Sequence, residues 1–83
     1  MANENAADLE LFVLTGCPFC RKVLNYMDEH SISIPIRNVS EDEGSRKRLV
    51  EVGGKLQAPC LFIDCKPLYE SDDIIAWLAE HVA

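Results

Sequence analysis

The stretch Leu9–Cys20, Leu-Glu-Leu-Phe-Val-Leu-Thr-Gly-Cys-Pro-Phe-Cys, constrains the fold more than any other part of the chain. Its apolar run, broken only by Glu10, reads as a strand buried on both faces of a covered sheet. Thr15-Gly16 ends the run, and a helical pattern begins at Pro18, whose missing N–H is harmless in a first turn. A strand that enters a helix through Cys-Pro-Phe-Cys sets a thiol at a helix N-terminus. Free N–H groups and the helix dipole favour an anion there, and the thiolate is the nucleophile of disulfide exchange. Cys17 is therefore the candidate attacking thiol. Cys20, one turn further in, meets fewer free N–H groups and is at most the resolving thiol.

The remaining elements follow from periodicity. Phe19, Val23, Met27 and His30 recur at helical spacing, with the helix ending near His30-Ser31. Ile32–Arg37 alternates strictly, which predicts a strand, and Pro35 suits an edge position. Ser40-Glu41-Asp42-Glu43 fits a capping box opening a helix to about Val52, which Gly53-Gly54 closes. Cys60–Ile63 and Lys66–Tyr69 read as strands joined by the turn Asp64-Cys65, hence antiparallel. Ser71-Asp72-Asp73 starts a last helix carrying Ile74, Ile75, Trp77, Leu78 and Val82. The order is β-α-β-α-β-β-α. Its first half is a parallel βαβ unit with a right-handed crossover. Residues 1–8 read as a frayed tail, and residues 9–83 as one domain.

Charge and cysteine usage narrow the function classes. A net charge of −6 argues against a nucleic acid partner, which calls for clustered Lys and Arg. Arg46-Lys47-Arg48 is a solvated helix face, preceded by Glu41, Asp42 and Glu43. No segment approaches the ~18 continuous apolar residues of a membrane helix. The N-terminus has neither a basic n-region nor an apolar h-region, so the expected location is the cytosol, where thiols stay reduced. Four cysteines in such a chain point to redox chemistry or metal binding before structural disulfides. Zinc would need a second ligand pair to close a tetrahedron. Cys60 and Cys65 are spaced by four and Cys60 begins a buried strand, while His30 and His81 sit at helix ends with no ligand-like spacing, so no metal is expected.

With these residues in place the chain resembles the glutaredoxins, of the thioredoxin-fold superfamily. The resemblance spans about residues 9–80 and rests on three landmarks in order: Thr15–Cys20, then Gln57-Ala58-Pro59, then Glu70–Ile74. It implies an α/β fold of the thioredoxin type, a four-stranded mixed sheet flanked by three helices. It implies a cis Pro59, with Ala58 presenting its backbone to the cysteine of glutathione. It also implies that the helix start at Ser71 and Asp72 receives the γ-glutamyl carboxylate, and that Asp72 or Glu70 takes the ammonium group. Phe19 stands where the family has Tyr or Phe beside the bound tripeptide, and Gln57 belongs to the same loop landmark.

Two departures from the family pattern stand out. The lysine that many glutaredoxins carry ahead of the active cysteine is absent from Val13-Leu14-Thr15, leaving Arg21 and Lys22 as nearby cations. The usual Gly-Gly before the acidic pair is Tyr69-Glu70. Tyr-Glu-Ser ahead of a Trp-Leu helix resembles the N-terminal domain of glutathione S-transferases, whose second, all-helical domain has no room in 83 residues.

The implied function is a monomeric glutathione-dependent thiol-disulfide oxidoreductase. Glutathione is its co-substrate, and glutathionylated or disulfide-bonded proteins are its partners. Two other classes compete: a metal-binding module, either zinc or an iron–sulfur site that Pro18 disfavours, and a thioredoxin-fold interaction domain without glutathione. Cys60 reads as a small core residue and Cys65 as an exposed turn thiol.

Overall fold

The structure, a computed structural model, describes residues 8–81. The tail predicted over residues 1–8 lies outside it except for Asp8, and so does Val82. Asp8 is not frayed: its N–H donates to Asp64 Oδ1 at 2.8 Å, and its carbonyl accepts from Asp64 N at 2.9 Å.

The apolar run forms β1 (Leu9–Val13), and the helix at the cysteine pair is α1 (Pro18–Glu29). Then come β2 (Ile36–Asn38), α2 (Glu43–Arg48), a wide π-type turn (Leu49–Gly53), β3 (Cys60–Ile63), β4 (Lys66–Leu68) and α3 (Ser71–His81). The predicted order β-α-β-α-β-β-α is the observed one. The sheet runs β2-β1-β3-β4, parallel between β1 and β2 and antiparallel elsewhere. Leu11 stands opposite Ile36 on one side and Leu61 on the other.

Because β1 is central, both its faces are covered. Leu11 and Val13 pack with Val23 and Met27 of α1 and with Ile74 and Leu78 of α3. Phe12 turns to the opposite face, against Val39, Leu49, Cys60 and Phe62, its ring 4.5 Å from that of Phe62. Each such side chain contributes about 1.5–3 kcal/mol by leaving water. Glu10 shares that second side and is matched there, accepting from Arg48 Nε at 3.0 Å and Nη2 at 3.2 Å. This is the bidentate geometry that suits arginine and a carboxylate.

Four expectations need correction. The buried stripe of α1 is Cys20, Val23 and Met27; Phe19 and His30 are exposed. The predicted strand Ile32–Arg37 begins only at Ile36. Its alternation reflects burial rather than pairing, since Ile34 enters the core while the edge residue Ile36 stays exposed. Pro35 precedes the strand, where its carbonyl accepts from Leu11 N and its missing N–H is not needed. The cap of α2 is Asp42, not Ser40. Its carboxylate accepts from Ser45 N at 3.2 Å and from the Ser45 hydroxyl at 2.5 Å, and chiefly the hydroxyl bond holds it below the usual carboxylate range. Finally, α2 stops at Arg48 and passes into the π-type turn, which Gly54 ends with φ +95° as a glycine cap should.

Candidate functional site

Cys17 is the N-cap of α1, with an extended backbone (φ −85°, ψ 116°), and Pro18 follows in the first turn. Gly16, at φ +79°, makes the preceding bend possible, because that region suits a residue without Cβ. The Cys17 sulfur accepts from the N–H of Cys20 at 3.2 Å, a helix-capping bond made with sulfur in place of oxygen. Such donors support a thiolate by hydrogen bonding and by the helix dipole.

Cys20 is buried under this turn. Burial, and next the hydrogen bond with Cys17, push its thiol up to about 12, although Leu14 N donates to its sulfur at 3.5 Å. Cys20 therefore holds its proton, while Cys17 is partly open to solvent. Burial likewise pushes Cys60 up to about 11, whereas Cys65 is exposed in the β3–β4 turn. All four thiols are free.

On the sheet side, the Ala58–Pro59 peptide is cis, and the Ala58 carbonyl faces the Cys17 thiol at 3.9 Å. Residues far apart in sequence thus meet at the sulfur. Gln57 and Ala58 are half-buried in the loop that leads to β3, and Phe19 stands exposed on the first turn of α1. A cleft of about 620 Å³ opens beside Cys17 towards β2, lined by Thr15, Gly16, Arg21, Asn25 and Asn38 among others.

Glu70 precedes α3 in the left-handed region, φ +51°, and its carbonyl accepts from Ile74 N. Ser71 is buried at the helix start, while Glu70 and Asp72 are exposed. Asp72 is ion-paired with Lys22, which ties α3 to α1 across their packed interface. The structure therefore joins Cys17 to Ala58 and Asp72 to Lys22. It leaves the Glu70 side chain without an ion pair among the described residues. No group of three or more His, Cys, Asp or Glu among those residues is placed to hold a metal ion.

Two supports of the site escaped the sequence. Thr15 N donates to Ser40 Oγ at 3.1 Å, and Asn38 Nδ2 donates to Thr15 Oγ1 at 3.1 Å, so the loop before Cys17 is tied to the end of β2. Only the polar residues Asn38 and Ser40, flanking Val39, hint at this in the sequence. Tyr69, the departure from Gly-Gly, donates its hydroxyl to Lys55 O at 3.0 Å, and Lys55 Nζ lies 4.6 Å over its ring. Tyr69 occupies the space beside Gly53, where a Cβ would come within 2.6 Å of its hydroxyl oxygen. Gly53 and Tyr69 fit as a pair, which no local pattern shows.

A helix-capping cysteine beside a cis-proline, on a four-stranded sheet covered by helices on both faces, defines a thioredoxin-like thiol oxidoreductase. The glutaredoxin family model matches residues 9–67. The chain belongs to the glutaredoxin family. Among solved structures it is similar to a wheat glutaredoxin at 28% identity and a TM-score of 0.65, covering 92% of this chain and 74% of that one. A buckwheat glutaredoxin–glutathione complex matches at 18% identity and TM-score 0.68, covering 89% and 70%. A thioredoxin-like protein reaches TM-score 0.74 at 19% identity, covering 86% and 97%. The last two likenesses concern the fold alone. No curated protein matches the sequence.

Proposed function

We propose that this protein is a glutathione-dependent thiol-disulfide oxidoreductase acting on protein–glutathione mixed disulfides or small disulfides. The observation that carries the reading is the Cys17 sulfur, capped by the Cys20 N–H and facing the Ala58 carbonyl at the cis peptide. A peptide-like ligand can pair with that exposed backbone edge, and glutathione is such a ligand. The buckwheat relative, solved with glutathione, supports the choice.

In the proposed reaction the Cys17 thiolate attacks the glutathione sulfur of the mixed disulfide. The old S–S bond breaks, the target leaves as a thiolate and takes a proton from solvent, and Cys17 becomes linked to glutathione. The thiolate of a second glutathione then attacks the bound glutathione sulfur. This gives oxidised glutathione and returns Cys17 as thiolate, so one reduced glutathione is consumed for each target thiol released. In the other route, Cys20 loses its proton and attacks Cys17, releasing glutathione and closing a Cys17–Cys20 disulfide. The high proton affinity of Cys20 favours the first route.

Ala58 and Gln57 present the loop backbone to the tripeptide, with Pro59 fixing the turn and Phe19 flanking it. The α3 start at Ser71 and Asp72 receives the γ-glutamyl end, with Glu70 beside it. The proposed setting is the cytosol, as a monomer, where reduced glutathione is available. Titrating the protein with reduced glutathione by NMR tests cofactor and site together. Shifts confined to Cys17, Ala58, Ser71 and Asp72 are expected; a spectrum without them refutes glutathione use.

A further inference from the structure

We infer that the cleft on the β2 side of Cys17 receives the client half of the mixed disulfide, and that Arg21 makes it favour clients with a carboxylate beside the reactive cysteine. The inference rests on the glutathione reading above and adds the kind of protein chain that is served. In the sheet order β2-β1-β3-β4, Cys17 follows the central strand β1, with β2 on one side and β3 on the other. The Ala58 peptide edge, proposed for glutathione, leads into β3. The cleft of about 620 Å³ opens on the other side, with Asn38 at the end of β2 in its wall. Glutathione and client share one S–S bond, so glutathione on the β3 side leaves the β2 side to the client chain. An extended residue spans about 3.5 Å. A side chain one or two positions from the client cysteine therefore falls over this cleft.

The cleft carries charge of one sign. Arg21 is the only Lys, Arg, Asp or Glu among the described residues that line it. Its side chain is exposed and forms no ion pair among the described residues, whereas Lys22, Arg37 and Arg48 each meet a carboxylate. The start of α1 adds a dipole of the same sign. In a chain of net charge −6 this is a positive spot beside the reactive sulfur. A client carboxylate completes the pair that Arg21 leaves open, and a client cation is repelled there. Asn25 lies one turn beyond Arg21, and its exposed amide can bond to client backbone. The wall is set in advance, because Asn38 Nδ2 donates to Thr15 Oγ1 and Thr15 N donates to Ser40 Oγ. A wall already in place lowers the ordering cost of binding.

The test uses two glutathionylated peptides that differ only in the residue next to the cysteine, Glu in one and Gln in the other. The mixed disulfide of glutathione with mercaptoethanol, which has no client chain, is the third substrate. The readout is the ratio of kcat/KM for the Glu peptide to that for the Gln peptide. A general effect of a substitution on Cys17 cancels in this ratio, as does any intrinsic difference between the peptides when variants are compared. Arg21→Gln is expected to lower the ratio about twofold to fivefold, the range of an exposed charge pair. Arg21→Glu is expected to lower it further, and Arg21→Lys to keep most of it. A ratio that Arg21→Gln and Arg21→Glu leave unchanged, with the mercaptoethanol disulfide still turned over, overturns this inference alone. If wild-type protein turns over none of the three substrates, the glutathione reading falls and takes this one with it.

Discussion

The Cys17 sulfur lies 3.9 Å from the carbonyl oxygen of Ala58, 41 positions further along the chain. One side of the contact is fixed by the start of α1 and the other by the loop entering β3. A group bonded to Cys17 therefore lies against a peptide edge, which is what recognition of a peptide-like thiol needs.

Removing the two sulfurs of the motif should have unequal consequences. Cys17→Ser is expected to abolish glutathione-dependent reduction of a mixed disulfide, a loss of roughly a hundredfold or more, because an unactivated hydroxyl is a far weaker nucleophile than a thiolate and cannot form the mixed disulfide. Cys20→Ser is expected to keep a substantial fraction of the rate with small mixed disulfides. A coupled assay following oxidised glutathione measures both. Equal loss in the two variants would show that the closed disulfide is obligatory.

Thiol labelling should follow exposure. Native protein treated with iodoacetamide at pH 8 is expected to be modified at Cys17 and Cys65. Cys20 and Cys60 should react only after unfolding, being buried and pushed up to about 12 and about 11. Peptide mass mapping after timed quenching gives the order directly. Rapid modification of Cys60 in folded protein would contradict the second core described for Phe12 and Phe62.

Gly53 and Tyr69 should behave as a coupled pair. Gly53→Ala is expected to cost about 1–3 kcal/mol through overpacking, since its Cβ would meet the Tyr69 hydroxyl oxygen at 2.6 Å. In a Tyr69→Phe background that oxygen is gone and the penalty should shrink. It should not vanish, because Leu49 and Phe62 atoms remain at 3.4 Å. A urea-unfolding double-mutant cycle reads the coupling.

The Asp42 cap carries a pH signature. Its folded-state pKa is lowered by the hydrogen bond from Ser45. A lowered carboxylate pKa gives stability that is fully present above the unfolded value, near ~3.9, and is lost as pH falls through the folded value. Asp42→Ala should therefore lower Tm at pH 7, and the gap to wild type should close as the pH falls below about 4. Calorimetry across that range checks the sign.

Much of this molecule could be read from local pattern. The turn Thr15–Pro18, the β3–β4 hairpin and the glycine stop at Gly54 each follow from residues adjacent in sequence, where conformational preference acts directly. The cis-proline came from family resemblance, because nothing local distinguishes Ala58-Pro59 from an ordinary turn. Failures fell where a partner distant in sequence decides. Ile32 and Ile34 alternate like a strand, but pairing depends on where β1 ends and so begins at Ile36. Ser40 looked like a cap, yet its hydroxyl is taken by Thr15 N, and Asp42 caps instead. Lys22 was visible as a nearby cation, but its pairing with Asp72 depends on how α1 meets α3.

The outer strands β2 and β4 span three residues each, with Pro35 just before one and Pro67 inside the other. Unpaired sheet rims are the usual template for edge-to-edge aggregation, and short, proline-bearing rims are poor templates. Both central strands, β1 and β3, are shielded between them. The sheet beneath the Cys17 turn thus gives another chain little rim to extend.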